Sequence, residues 1–148
     1  MNGRSMSLFE KPVSEYILPI RYYLLVSVLI VISQYAIALP ISEQYPQYSF
    51  ILNLTQIAWE LMVAISVFTL ITRHKFGPKN LFVIWILFSV LIHGLKIAIR
   101  YFFYDKPVEY LIDRFSYGSL LVLAVVVGTM LFVEVKRRYL DTNSKRSP

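Results

Sequence analysis

Leu81-Phe-Val-Ile-Trp-Ile-Leu-Phe-Ser-Val-Leu-Ile-His93-Gly-Leu-Lys96-Ile-Ala-Ile-Arg100-Tyr-Phe-Phe103 decides how the chain is read. Apart from three ionisable residues it is almost wholly aliphatic and aromatic. A hydrocarbon core about 30 Å thick takes roughly 20 apolar residues as helix, so the stretch has the length of a membrane span. Three further stretches, 20–39, 50–72 and 115–135, meet the same criterion. The expected fold is all-α: a polytopic, antiparallel bundle of four transmembrane helices. Residues 1–19 form a cytoplasmic or interfacial N-terminal segment, and residues 136–148 form a basic cytoplasmic tail.

The connections are short and polar: Pro40 to Ser49, Arg73 to Asn80 with Gly77-Pro78, and Tyr104 to Arg114 with Pro107. Helices joined this way are expected to be antiparallel neighbours. Lys and Arg accumulate in the short cytoplasmic segments of membrane proteins. Eleven of them fall in the N-terminal segment, the second connection and the tail, against two (Lys106 and Arg114) in the other two connections. Both termini are therefore expected in the cytoplasm. Ala36-Ile37-Ala38 resembles a signal cleavage site, but the preceding apolar run starts late and exceeds the usual 7–15 residues of a signal, so it is read as helix one.

Composition agrees. The 148 residues are 57% hydrophobic and 16% aromatic, more apolar than a soluble domain of that length. The net charge of +6 sits between apolar runs rather than on one polar face, which argues against a nucleic-acid partner. The absence of cysteine removes thiolate chemistry, and two histidines supply metal ligation poorly, so no cofactor and no metal are expected. No nucleophile–base–orienter set or phosphate loop is visible, and no enzymatic activity is expected. Tyrosines near the span ends suit interfacial belts. Residues 8 to 18 could form a short surface helix limited by Pro12 and Pro19, and Asp141 to Pro148 read as disordered.

Ionisable groups within spans are costly, by about 2.5–3.5 kcal/mol each, and usually face partners in the bundle. Asn53, Gln56 and Glu60 lie at i, i+3 and i+7 on the second helix, and His93, Lys96 and Arg100 repeat that spacing on the third. On antiparallel helices, residues at equal depth have numbers with a constant sum. The stripes match in register: Glu60 with His93, Gln56 with Lys96, Asn53 with Arg100. Ser33, Gln34, Ser116, Tyr117 and Ser119 fall at the same outer level, which suggests a polar, net positive vestibule opening outward. The inner half is apolar, with Ser66, Thr69 and Ser89 able to bond their own helices. Three readings of the cluster stand open: a structural ion pair with Lys96 and Arg100 snorkelling outward, an anion or ligand pocket, and a proton or ion relay through Glu60 and His93. Ala124-x-x-x-Gly128 is a small-residue pair for packing within the chain or between copies. Glu134 and Arg138 read as a surface ion pair.

Trp59-Glu60-Leu61-Met62-Val63-Ala64-Ile65 and Arg100-Tyr-Phe-Phe-Tyr-Asp105-Lys106-Pro107, followed by Val108-Glu109-Tyr110-Leu111-Ile112, resemble the phosphate-starvation-inducible PsiE family of bacterial inner-membrane proteins. The resemblance covers roughly residues 55 to 125. It implies a multi-pass inner-membrane protein linked to stress or starvation, with the family's Glu, Arg and Asp at Glu60, Arg100 and Asp105. The expected function is a stress-linked, ligand- or ion-responsive membrane component. The alternatives are an oligomeric channel or membrane-permeabilising effector and a structural or regulatory subunit of a membrane complex. The expected partners are the lipid bilayer, further copies of the chain and, on the last reading, another membrane protein.

Because the chain has no cysteine, single introduced cysteines report topology directly. In intact cells Gln44→Cys is expected to react with a membrane-impermeant maleimide, and Ser144→Cys only after permeabilisation. The reverse pattern would invert the orientation.

Overall fold

The computed structural model describes the backbone of residues 7–8 and 11–144 and the side chains of residues 11–140. Four long helices carry almost all of it: α1 (Val13–Gln44), α2 (Phe50–His74), α3 (Pro78–Tyr104) and α4 (Val108–Ser144). All four are long and apolar enough to cross a membrane, and at most a third of each apolar window is buried inside the bundle. The outward surface is correspondingly apolar, with Leu25, Leu29, Leu54, Leu61, Phe82 and Phe132 among the exposed side chains. Ahead of α1, Ser7–Leu8 pairs antiparallel with Lys11–Pro12.

The helices outrun the sequence expectation. α1 continues through Pro40 to Gln44, although a proline inside a helix lacks its N–H and crowds the carbonyl four residues back. The chain widens just before it: Gln34–Ala38 is π-helical, which relaxes that crowding. A 3-10 turn at Pro46–Tyr48 then leads into α2. The third connection shrinks to Asp105–Pro107, because Glu109, Asp113 and Arg114 lie on α4 itself. Glu109 in the first turn suits the positive end of the helix dipole. At the far end α4 runs through Ser144, so the expected disorder does not hold for Asp141–Ser144, and residues 145–148 lie outside the described residues. The Glu134–Arg138 ion pair is present at 2.9 Å and braces that last stretch.

Of the surface helix expected over residues 8 to 18, the side chains of Leu8, Phe9 and Glu10 lie outside the described residues. Val13–Ile17 is helical but runs on through a 3-10 turn, Leu18–Ile20, as the first turns of α1. Tyr16 is buried, stacks edge-on against Phe76 with ring centroids 5.2 Å apart, and donates its hydroxyl to Asn80 Oδ1 at 2.6 Å. The start of α1 is thereby fastened to the α2–α3 turn. That turn depends on Lys75, whose φ of 53° ends α2 in the left-handed region while the Phe76 N–H donates to the Leu70 carbonyl. Asp105 ends α3 in the same conformation, φ 46°, which aspartate tolerates better than most residues.

The seam of the bundle is Val31 of α1, Trp59, Val63, Val67 and Leu70 of α2, Ile84, Phe88 and Ile92 of α3, and Val122 and Val126 of α4. On α2 these recur at three- and four-residue intervals, one stripe of the helix. α2 packs mainly against α1 and α4, α3 against α4 and secondarily α1, and the α2 and α3 backbones approach little. Around the bundle the order is α1–α2–α4–α3. The expectation that consecutive helices are neighbours therefore fails for α2 and α3, which face each other across the diagonal.

The glycines of α4 have different roles. A Cβ on Gly118 would overlap the His93 ring, whereas one on Gly128 meets nothing within 4 Å. Gly128 and Ala124 are exposed, so that small-residue pair is not used to pack the chain on itself. Gly118→Ala is expected to destabilise by about 1–3 kcal/mol in thermal or denaturant unfolding, as overpacking does. His93→Ala should remove most of that penalty in the double variant, and Gly128→Ala should lie within about 0.5 kcal/mol of the parent.

Candidate functional site

The polar stripes meet at the end of the bundle that carries Gln44 and Asp105. Gln56 is the junction. Its carbonyl Oε1 accepts from the buried Trp59 Nε1 at 3.1 Å and from Lys96 Nζ at 3.3 Å, and its own Nε2 donates to Glu60 Oε1 at 2.7 Å. Lys96 is only 7% exposed, and its ammonium stands 4.9 Å from the centre of the Trp59 ring, on whose face a cation is attracted. Among the described residues no carboxylate lies within 4 Å of it. Its compensation is a carbonyl oxygen, an aromatic face and the more distant Glu60 carboxylate. An ammonium has three donors, and one is used.

His93 lies beside this group without joining it by a hydrogen bond. Its ring meets Trp59 edge-on at 5.3 Å and rests on the bare backbone of Gly118. Its Nε2 is buried with no hydrogen-bond partner among the described residues. The residue belongs to a π-helical segment, Ser89–Gly94, which changes the angular spacing between His93 and the residues beyond it. Below it the polar trail continues along α4 rather than into the α3 backbone: Ser119 Oγ donates to Ser89 Oγ at 3.1 Å, and Trp85 Nε1 donates to the Ser119 carbonyl at 2.8 Å. Ser66 does bond its own helix, at the Met62 carbonyl.

Arg100 turns to the helices that flank α3. Its guanidinium carbon stands 5.7 Å from the ring centre of Tyr35 on α1 and 5.8 Å from that of Tyr110 on α4. It lines a cleft of about 280 Å³ shared with Gln34, Tyr35, Glu43, Tyr104 and Lys106. The Oε1 of Gln34 is buried and also lacks a partner. Such atoms are rare in folded proteins and call for a reason. Those of Gln34 and His93 are the two among the described residues, and both lie in the half that holds Lys96 and Arg100.

Of the seven residues picked out from the sequence, Gln56, Glu60 and Lys96 therefore form one bonded group, with His93 in van der Waals reach through Trp59. The expected Glu60–His93 contact is replaced by Glu60–Gln56 along α2 and His93–Gly118 across to α4. Asn53 is exposed and does not meet Arg100. Asp105 is exposed at its turn, with no side-chain hydrogen bond or ion pair among the described residues. Sequence reasoning missed Trp59, Tyr35, Tyr110 and Gly118 as parts of the site. Trp59 falls one residue before Glu60, and its indole N–H needed an acceptor that Gln56, three residues back, could supply. No family model, characterised protein or solved structure matches the chain.

The bonding pattern separates the roles of Lys96 and Gln56. Lys96→Met removes a buried charge that has no ion-pair partner among the described residues, and its unfolding midpoint is expected at or above that of the parent. Gln56→Leu leaves the Lys96 ammonium and the Trp59 N–H without their acceptor and is expected to cost about 2 kcal/mol. Thermal unfolding followed by tryptophan fluorescence measures both, and equal losses in the two variants would contradict the arrangement.

Proposed function

We propose that the chain is a small-ligand-responsive membrane component, and that it takes a small anion in the cleft that Arg100 lines, in the half of the bundle that holds the buried Lys96. The observation that carries the reading is the pairing of two cations, neither matched by a carboxylate within ion-pair reach among the described residues, with the orphaned polar atoms of Gln34 and His93 in the same half of the bundle. Arg100 presents a rigid fork of donors suited to a carboxylate or phosphoryl group. Glu43 at the cleft mouth limits the charge the site tolerates, which favours a monoanion over a polyanion. The orientation expected from the Lys and Arg distribution opens this cleft outward. An inner-membrane location and a link to stress or starvation are supported by the PsiE resemblance.

A second reading, assembly of several copies into a conducting ring, draws on the outward-facing Ala124 and Gly128, where a neighbouring helix could approach closely. Within one chain the seam toward the Lys75 turn is Val67, Leu70, Ile84 and Val126, so conduction would run between copies.

Trp59 and Trp85 are the chain's two tryptophans, and Trp59 stands beside Lys96 in the same half of the bundle as the cleft, so intrinsic fluorescence is the first readout. In nanodiscs, titration with acetate, inorganic phosphate or sulfate is expected to give a saturable change with at least one of them. Arg100→Gln should weaken it about tenfold, the loss of one charge-assisted hydrogen bond. No saturable response to any of the three, or an unchanged response in Arg100→Gln, would end this reading.

A further inference from the structure

At the opposite end of the bundle, between the last turns of α2 and α4, lies a cleft of about 670 Å³, well within the range of roughly 300–1,000 Å³ typical of small-molecule sites. Its floor is apolar: Phe68 and Ile71 of α2, Phe76 of the turn and Met130 of α4. Its rim is basic, carrying Lys75, Lys136, Arg137 and Arg138 against, among the described residues, the carboxylate of Glu134, which is bonded to Arg138. Lys136 leans back over the floor, its Nζ 5.8 Å from the Phe68 ring centre. Lys75 is held at the rim by the left-handed backbone that ends α2.

The cleft is continued along the helices. Phe68 also borders a shallower groove of about 310 Å³ between α2 and α4, lined by Ala64, Ile65, Gly128, Thr129 and Phe132. The exposed Gly128, over which nothing stands within 4 Å, leaves that groove open on its lipid-facing side. Together the two make an amphipathic track, with cations at the mouth and a narrow apolar channel running from it toward the middle of the span.

We propose that this track is a binding site for one anionic phospholipid, its phosphate among Lys75, Lys136 and Arg137 and one acyl chain along Phe68 and Gly128. A basic pocket between helices at the membrane boundary suits such headgroups, each nearby cation contributing attraction on the scale of a fivefold change in affinity. A free anion would have no use for the apolar floor. A zwitterionic lipid would place a second positive charge among the cations.

The test uses the full chain in nanodiscs of three parts phosphatidylcholine to one part phosphatidylglycerol. After transfer to mild detergent, native mass spectrometry reads the number and class of lipids each chain retains. The parent should keep one phosphatidylglycerol in clear preference to phosphatidylcholine. The preference should fall about fivefold in Lys75→Gln and by more in Lys136→Gln/Arg137→Gln. Gly128→Leu, which fills the groove and leaves every charge in place, should lower retention as well. Arg73→Gln/Lys79→Gln removes two exposed charges from the same end outside the cleft and should change little. Equal retention of the two lipids by the parent would overturn the proposal. So would a loss in Arg73→Gln/Lys79→Gln equal to that in Lys136→Gln/Arg137→Gln, which would mean diffuse surface attraction, or displacement of the lipid by millimolar inorganic phosphate, which would mean a free-anion site. If the Lys136/Arg137 pair fails to fold, Lys75→Gln and Gly128→Leu decide the matter alone.

Discussion

A single amide, that of Gln56, lets a lysine ammonium lie in the interior of this bundle. An isolated buried charge is too expensive to keep, and a directly paired one gains little over an apolar substitute. Gln56 takes a third course. Its carbonyl gathers the ammonium and the Trp59 indole N–H, while its amino group passes the positive polarity on to the Glu60 carboxylate. The carboxylate and the ammonium are thus linked through a neutral dipole rather than in contact. Trp59, held by the same amide, lies between the diagonal helices, carries the cation on its face and packs perpendicular to the His93 ring. Loss of the amide would unfasten all four groups.

The two ends of the molecule divide apolar and polar work in opposite ways. At the Gln44 and Asp105 end, polarity is drawn inward, and the cations meet aromatic rings and amides. At the Lys75 end the interior is aliphatic and aromatic, its polar contact the Tyr16–Asn80 hydrogen bond, the cations stand on the rim, and the buried Ser27 and Ser66 donate to carbonyls of their own helices. The chain therefore carries two chemically distinct clefts, one lined by Arg100, Gln34 and tyrosines and one an apolar track with a basic rim.

Much of this was legible in the sequence, and the parts that were not have a common cause. Four helices follow from length and hydropathy, and the Gln56–Lys96 contact follows from helical period and antiparallel register alone. Period and register cannot say which helices are neighbours. The Glu60–His93 and Asn53–Arg100 expectations assumed that α2 and α3 lie side by side. Across a diagonal only long side chains meet, so Lys96 reaches Gln56, while Arg100 and His93 turn to α1 and α4. The π-helical segments at Gln34–Ala38 and Ser89–Gly94 add a second departure, since each breaks the regular spacing that the pattern assumed. Helix ends were misjudged where polar residues were taken for loop. Glu109, Asp113 and Arg114 are hydrophilic yet helical, because polarity marks contact with water and not the loss of backbone hydrogen bonds.

The seat of His93 on Gly118 also constrains how such a chain can change over generations. While an imidazole occupies position 93, a side chain at position 118 meets its ring, so a change at either position bears on the other. Drift away from the pair has a direction. Replacement of the histidine by something smaller frees the glycine to vary, whereas the glycine cannot vary first without a clash. Descendants that have lost the histidine would diverge at position 118, and those that keep glycine there would be the ones in which the imidazole is still in use.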